Sequence, residues 1–146
     1  MSEQITEILV PVDGSENSTR AALFGIDMAK AFGVGIRLFY VFPAASVEII
    51  GMAGMSRSDI DQAAQAAAQK AFDLTHEALG SETGVEFETE TSMGDPAEEV
   101  IRYTEDNAGT MVVIGRRGLS RMKSLMIGSV SDKVLRHAKT PVVVIT

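Results

Sequence analysis

The chain has 146 residues, of which 45% are hydrophobic and 23% charged, enough for one globular domain with a real core. Its formal net charge of -7 argues against non-specific binding to nucleic acid or an anionic membrane, both of which need a basic face. There is no cysteine, which excludes disulfides and thiol chemistry.

Met1-Ser2-Glu3-Gln4 shows no basic, apolar leader pattern. No stretch approaches the roughly 18 apolar residues of a membrane helix. The expectation is a cytoplasmic protein of one domain, residues 1–146, with no membrane or nucleic-acid partner.

Ile5 to Val12 is an apolar run closed by Pro11 and the Asp13-Gly14 turn signal, and reads as a buried strand. Ser15 or Glu16 begins a helix with Ala21, Ala22, Phe24, Gly25, Met28, Ala29 and Phe32 at helical spacing, stopped by Gly33. Ile36 to Phe42 is a second strand, ended by Pro43. Residues 43–58 show no clear period and read as a mobile loop, in which Met52 and Met55 either fill space or form an apolar lid.

Ser58-Asp59 then caps a long helix with Ile60, Ala63, Ala64, Ala67, Ala71, Phe72, Thr75 and Leu79 on one face, ended by Gly80. Val85 to Thr91 alternates strictly, with Glu86, Glu88 and Glu90 on one side, as expected of a strand at a sheet edge. Asp95-Pro96 starts a helix whose buried stripe is Ala97, Val100, Ile101 and Thr104, running to Gly109. Met111 to Ile114 is another strand, a helix with Val130, Val134, Leu135 and Ala138 begins near Gly128, and Pro141 to Ile145 is the last strand.

Strands and helices thus alternate, without internal repeats. Continuous apolar strands between helices mean a parallel sheet covered on both faces, an open, doubly wound α/β layer. Such a sheet binds ligands at the carboxyl ends of its strands, near a topological switch point. Asp13 ends the first strand and Gly115 ends the fourth. If those two strands are neighbours, both face one crevice.

The most informative stretch is Gly115-Arg116-Arg117-Gly118, then nine residues, then Gly128-Ser129-Val130-Ser131. It runs from a strand through a glycine-punctuated loop to a helix start. Glycines let backbone N–H groups approach a ligand, and a helix N-terminus adds unpaired donors and a positive dipole end. Ser129 and Ser131 add hydroxyls; Arg116, Arg117, Arg121 and Lys123 add cations to an otherwise acidic chain. The pattern suits phosphate; its alternative is a plain strand-to-helix connection with solvated cations.

Other fingerprints fail. No Gly-x-Gly-x-x-Gly follows the first strand, and Met122, not glycine, precedes Lys123-Ser124. Neither a Gly-x-Ser-x-Gly elbow nor a His-Glu-x-x-His motif is present. Asp13 suits a ribose hydroxyl or a hydrated Mg²⁺, but an Asp-Gly pair equally forms a turn. Gly94-Asp95-Pro96 reads as helix capping or as a ligand contact, while His76 and His137 stand alone on helices without partners at metal spacing.

Four segments in order resemble the universal stress protein family: Val12-Asp13-Gly14-Ser15-Glu16-Asn17-Ser18, Gly94-Asp95-Pro96-Ala97, the Gly115/Gly118/Gly128-Ser129 pattern, and Thr140-Pro141-Val142-Val143-Val144. The resemblance spans essentially the whole chain. It implies a five-stranded sheet of order 3-2-1-4-5, and the glycine pattern is similar to the branch that binds ATP.

By that resemblance Gly115, Arg116, Gly118, Gly128, Ser129 and Val130 match ribose and phosphate contacts. Pro11, Val12 and Asp13 match the adenine and ribose side, and Val41 offers backbone contacts to the base. Arg116-Arg117 departs from the small or imidazole residue often found there, so the phosphate contact differs in detail.

Three functions compete. The first is a regulatory, stress-response protein that binds ATP together with Mg²⁺. The second is a slow ATP hydrolase, which needs a water-positioning base or a firmly held metal, and only Asp13 offers itself. The third is an interaction module with an empty crevice, against which the intact glycines and Ser129 argue. In the implied strand order Val142 to Ile145 form an apolar edge strand, which invites pairing with a second copy. The resemblance likewise points to a homodimer through this strand.

Overall fold

The computed structural model describes residues 4–81, 83–117 and 127–146. Five parallel strands form one sheet in the order β3-β2-β1-β4-β5, flanked by five helices among the described residues. In chain order the elements are β1 (Glu7–Pro11), α1 (Glu16–Phe32), β2 (Gly35–Pro43), α2 (Ala44–Met52) and α3 (Arg57–Leu79). They continue with β3 (Phe87–Gly94), α4 (Pro96–Asp106), β4 (Thr110–Gly115), α5 (Ser129–His137) and β5 (Val142–Ile145). The doubly wound order implied by the family resemblance is the observed one.

Alternation along the strands sends side chains into two cores. On one face Ile8, Val10, Ile36 and Leu38 meet Ala21, Ala22 and Ala29 of α1 and Ala68 and Phe72 of α3. On the other, Leu9, Phe39, Val41, Val112 and Ile114 meet Ala97 and Val100 of α4 and Val134 of α5. Every residue of β4 is buried, as a central parallel strand requires. At the β3 edge, by contrast, Glu88, Thr89, Glu90 and Thr91 are all exposed.

Local signals explain most helix ends. Ser15 accepts from the Ser18 N–H at 3.1 Å and starts α1, and Gly33 stops it in the left-handed region at φ 69°. Asp95 accepts from the Glu98 N–H at 3.0 Å, with Pro96 in the first turn of α4. Asp95 therefore serves as the helix cap.

Several expectations are corrected. Residues 43–58 are not one loop: Ala44–Met52 is helical, although none of its residues is buried. A helix with no buried face imposes no amphipathic period, which is why its sequence shows none. The cap of α3 is Ser56, not Ser58-Asp59; Ser56 and Asp59 satisfy each other's backbone N–H groups in a capping box.

In α1, Phe24 and Phe32 face solvent, while Ser18 and Ile26 are buried. In α3 the buried stripe is Ala64, Ala68, Ala71, Phe72 and Thr75, with Ile60, Ala63, Ala67 and Leu79 only half-buried. Tyr103, not Ile101, completes the buried stripe of α4, which ends at Asp106. Leu135 of α5 is exposed.

Candidate functional site

Strands β1 and β4 are neighbours, and their divergence makes the site. Their paired register runs from Glu7↔Thr110 to Leu9↔Val112, whereas β1 and β2 stay paired as far as Pro11↔Phe39. Past Leu9 the β1–β4 seam opens at the carboxyl ends, where the chain's crossovers diverge. A cleft of about 290 Å³ lies there, at the small end of ligand-cavity sizes.

Eight of the residues singled out from the sequence line this cleft: Pro11, Val12, Asp13, Val41, Gly115, Arg117, Val130 and Ser131. Arg116, Gly128 and Ser129 sit next to it in the chain without lining it, and Ser129 is exposed. Gly118, together with Arg121 and Lys123, falls outside the described residues. Met52 and Met55 are exposed and do not line the cleft.

The sequence reading missed further walls. Phe39, Val100 and Ile114 form an apolar back, with Pro43 and Pro96 beside it. Tyr40 and Ser18 supply polar atoms. Part of this was recoverable: Phe39 shares a strand face with Val41, and Pro96 and Val100 share a helix face four residues apart. Tyr40 gave no signal, because it points to the opposite face of β2 and reaches the cleft only where the strand ends.

At the front edge, Asp13 Oδ1 accepts from the Ser15 N–H at 2.9 Å, so the carboxylate is oriented by the turn into α1. The Tyr40 hydroxyl is held protonated, its pKa raised first by burial and then by the negative charge of Asp13. Across the cleft, Ser131 is buried and donates to the Gly115 carbonyl oxygen. The same strand end is tied further by Arg116 N–H to the Ile145 carbonyl and Gly128 N–H to the Arg116 carbonyl, each at 2.7 Å.

The two described glycines of the loop are used by the chain itself. A Cβ on Gly115 would stand 2.8 Å from the backbone carbon and oxygen of Asn17, where the first turn of α1 presses on β4. A Cβ on Gly128 would stand 3.0 Å from the Arg116 carbonyl oxygen. Both are glycine because backbone meets backbone there, before any ligand is considered.

An open parallel sheet with an apolar cleft at its switch point, one carboxylate, one phenol, serine hydroxyls and an arginine has the build of a small-ligand-binding α/β domain. The sequence profile of the universal stress protein family matches residues 4–146. The chain belongs to that family.

Among its relatives, universal stress protein MJ0531 of Methanocaldococcus jannaschii is 29% identical over 139 residues, covering 95% of this chain and 81% of the relative. Universal stress protein YxiE of Bacillus subtilis is 28% identical over 144 residues, covering 95% and 97%. The solved structure of MJ0577 from M. jannaschii aligns with a TM-score of 0.75 at 22% identity, covering 97% of this chain and 96% of that one. The universal stress protein from Archaeoglobus fulgidus, solved in complex with dAMP, aligns with a TM-score of 0.66 at 21% identity, covering 98% and 99%. A universal stress protein in complex with cAMP aligns at 0.64 and 22% identity, covering 99% and 98%. At these identities the structural likenesses establish the shared fold.

Proposed function

We propose that this universal stress protein binds ATP in the cleft between the carboxyl ends of β1, β2 and β4 and serves as a nucleotide-responsive regulatory protein. The observation that carries this reading is the meeting of Pro11, Val12, Asp13, Val41, Gly115, Val130 and Ser131 around one cleft. The apolar back of Phe39, Val41, Val100 and Ile114 suits a flat base, and Asp13 suits the sugar. The phosphates would then run toward Gly128, Ser129 and the N-terminus of α5, with Arg116 and Arg117 nearby. Relatives solved with dAMP and cAMP support an adenine nucleotide as the ligand class.

Mg²⁺ would arrive with the triphosphate, and Asp13 is the residue offered to its hydration shell. Asp13 is also the one carboxylate among the described lining residues, which favours binding over efficient hydrolysis. Pairing of two copies through β5 completes the proposal; this strand ends the sheet and is only half-buried.

The test is calorimetric titration of Mg²⁺-ATP into the native chain and into Val130→Phe. Val130 is half-buried on the first turn of α5 and lines the cleft, so a larger ring there takes up ligand space. Saturable binding that weakens at least about tenfold in the variant is the expected result. A folded native chain that takes up no ATP overturns the assignment.

A further inference from the structure

Tyr40 reaches the cleft from the side opposite its apolar back. Phe39 and Val41 project into the core beneath α4, whereas Tyr40 packs with the core on the α1 and α3 face. All three line the cleft because it crosses the end of β2. The Tyr40 ring stands edge-on to Phe72 of α3, with centroids 6.5 Å apart and planes at 79°, which limits where its hydroxyl can sit. No hydrogen bond to that hydroxyl is found among the described residues.

Asp13 lines the same cleft and is oriented independently. Its Oδ1 accepts from the Ser15 N–H at 2.9 Å, and its own N–H donates to Ser18 Oγ at 3.4 Å. A neutral phenol donor and a carboxylate acceptor in the lining of one cleft complement two adjacent hydroxyls, each able to donate and accept. Among nucleotides, that is the 2′,3′-diol of ribose.

We propose that Tyr40 and Asp13 together read the sugar of the bound nucleotide, so that the cleft prefers a ribonucleotide to its 2′-deoxy counterpart and Tyr40 sets the preference. This rests on the nucleotide-binding reading above. Removing the 2′-hydroxyl leaves one of the two cleft groups without a ligand partner, and a polar group left so costs affinity.

Calorimetric titrations of ATP and 2′-deoxy-ATP, both with Mg²⁺, into the native chain and Tyr40→Phe test the assignment. Tyr40→Phe keeps the ring against Phe72 and removes only the hydroxyl. The native chain is expected to prefer ATP by roughly tenfold, and the variant to lose most of that preference through weaker ATP binding. Equal native affinities, or an undiminished preference in the variant, overturn the role given to Tyr40 while leaving the nucleotide reading intact. No binding of either nucleotide by the native chain overturns both. Should the variant fail to fold, equal native affinities for the two nucleotides still overturn the assignment.

Discussion

The Ser131 hydroxyl donates a hydrogen bond to the carbonyl oxygen of Gly115, tying the first turn of α5 to the last residue of β4. Both residues line the cleft, and Ser131 is buried. A hydroxyl that sequence reasoning gives to phosphate thus has a partner within the fold. It holds the two halves of the glycine-punctuated loop at their ends, and so sets the cleft's width on that side.

Replacing Ser131 by alanine should therefore affect stability first. The Gly115 carbonyl would be left buried without this donor, at a cost of about 1–3 kcal/mol. Urea unfolding reads this directly. The same variant should bind ATP more weakly, because Val130 moves with the helix start. An unfolding free energy within about 0.5 kcal/mol of native would show that the tie is dispensable.

Gly115→Ala and Gly128→Ala should differ in degree. At Gly115 the added Cβ meets Asn17 backbone at 2.8 Å, so α1 or β4 must shift, and a cost of about 1–3 kcal/mol is expected. At Gly128 the nearest atom, the Arg116 carbonyl oxygen, is 3.0 Å away, so a smaller shift relieves the contact. The second variant should unfold at a higher urea concentration than the first. The reverse order would mean that the loop, not the α1–β4 contact, is the tighter joint.

A polar cluster on the α4 face predicts the alkaline limit of the fold. Tyr103 is buried and donates to Glu7, while Arg37 pairs with the same carboxylate at 3.2 Å and with Glu88 at the sheet edge. Burial first, and then the bond to Glu7 and its charge, hold the Tyr103 phenol protonated well above its ordinary pKa of 10.0. An unfolded chain gives up that proton near pH 10 and the folded chain does not, so the folded state binds more protons above that pH.

Stability from this group is then fully present below pH 10 and falls as the pH rises beyond it. Urea midpoints at neutral pH, at pH 10 and above it should show a flat region followed by a decline. Tyr103→Phe should have a lower midpoint at neutral pH and a shallower alkaline decline. Equal slopes in the two proteins would assign the decline to other groups, Tyr40 among them, whose pKa is raised too.

The proposed pairing of copies through β5 is tested by Val143→Lys. Val143 pairs in register with Val113 of β4 and is half-buried at the end of the sheet, so a charge there opposes burial under a second edge. Light scattering should show native mass at two copies and variant mass at one. The native unfolding midpoint must be compared as well, because Val143 also packs on the α1 face. A native chain with the mass of one copy rejects the interface.

Much of the fold was legible because its signals are local. Asp95-Pro96, Ser15 and Gly33 act on neighbouring backbone groups, so each helix end could be located without knowing what the helix packs against. Charges on Glu88 and Glu90 placed β3 at an edge for a similarly direct reason: a strand covered on both faces cannot carry them. Helix α2 escaped because it buries nothing, and a buried face is what produces a readable period. Ser56 displaced Ser58 as the cap of α3 because Asp59 returns its hydrogen bond.

By itself, then, the sequence determined the alternating α/β layout, most helix ends and the glycine loop, along with the family whose motifs it carries. The residue pattern left open whether β1 and β4 touch, and strand order entered only through the resemblance. Tertiary structure decided that they are neighbours, that their seam opens past Leu9, and that Tyr40 joins Asp13 at the opening. It also decided that Ser131 and Gly115 bind each other. Caps and periods act over a few residues, whereas this cleft joins Pro11 to Ser131, and only the packing of the whole sheet brings such distant segments together.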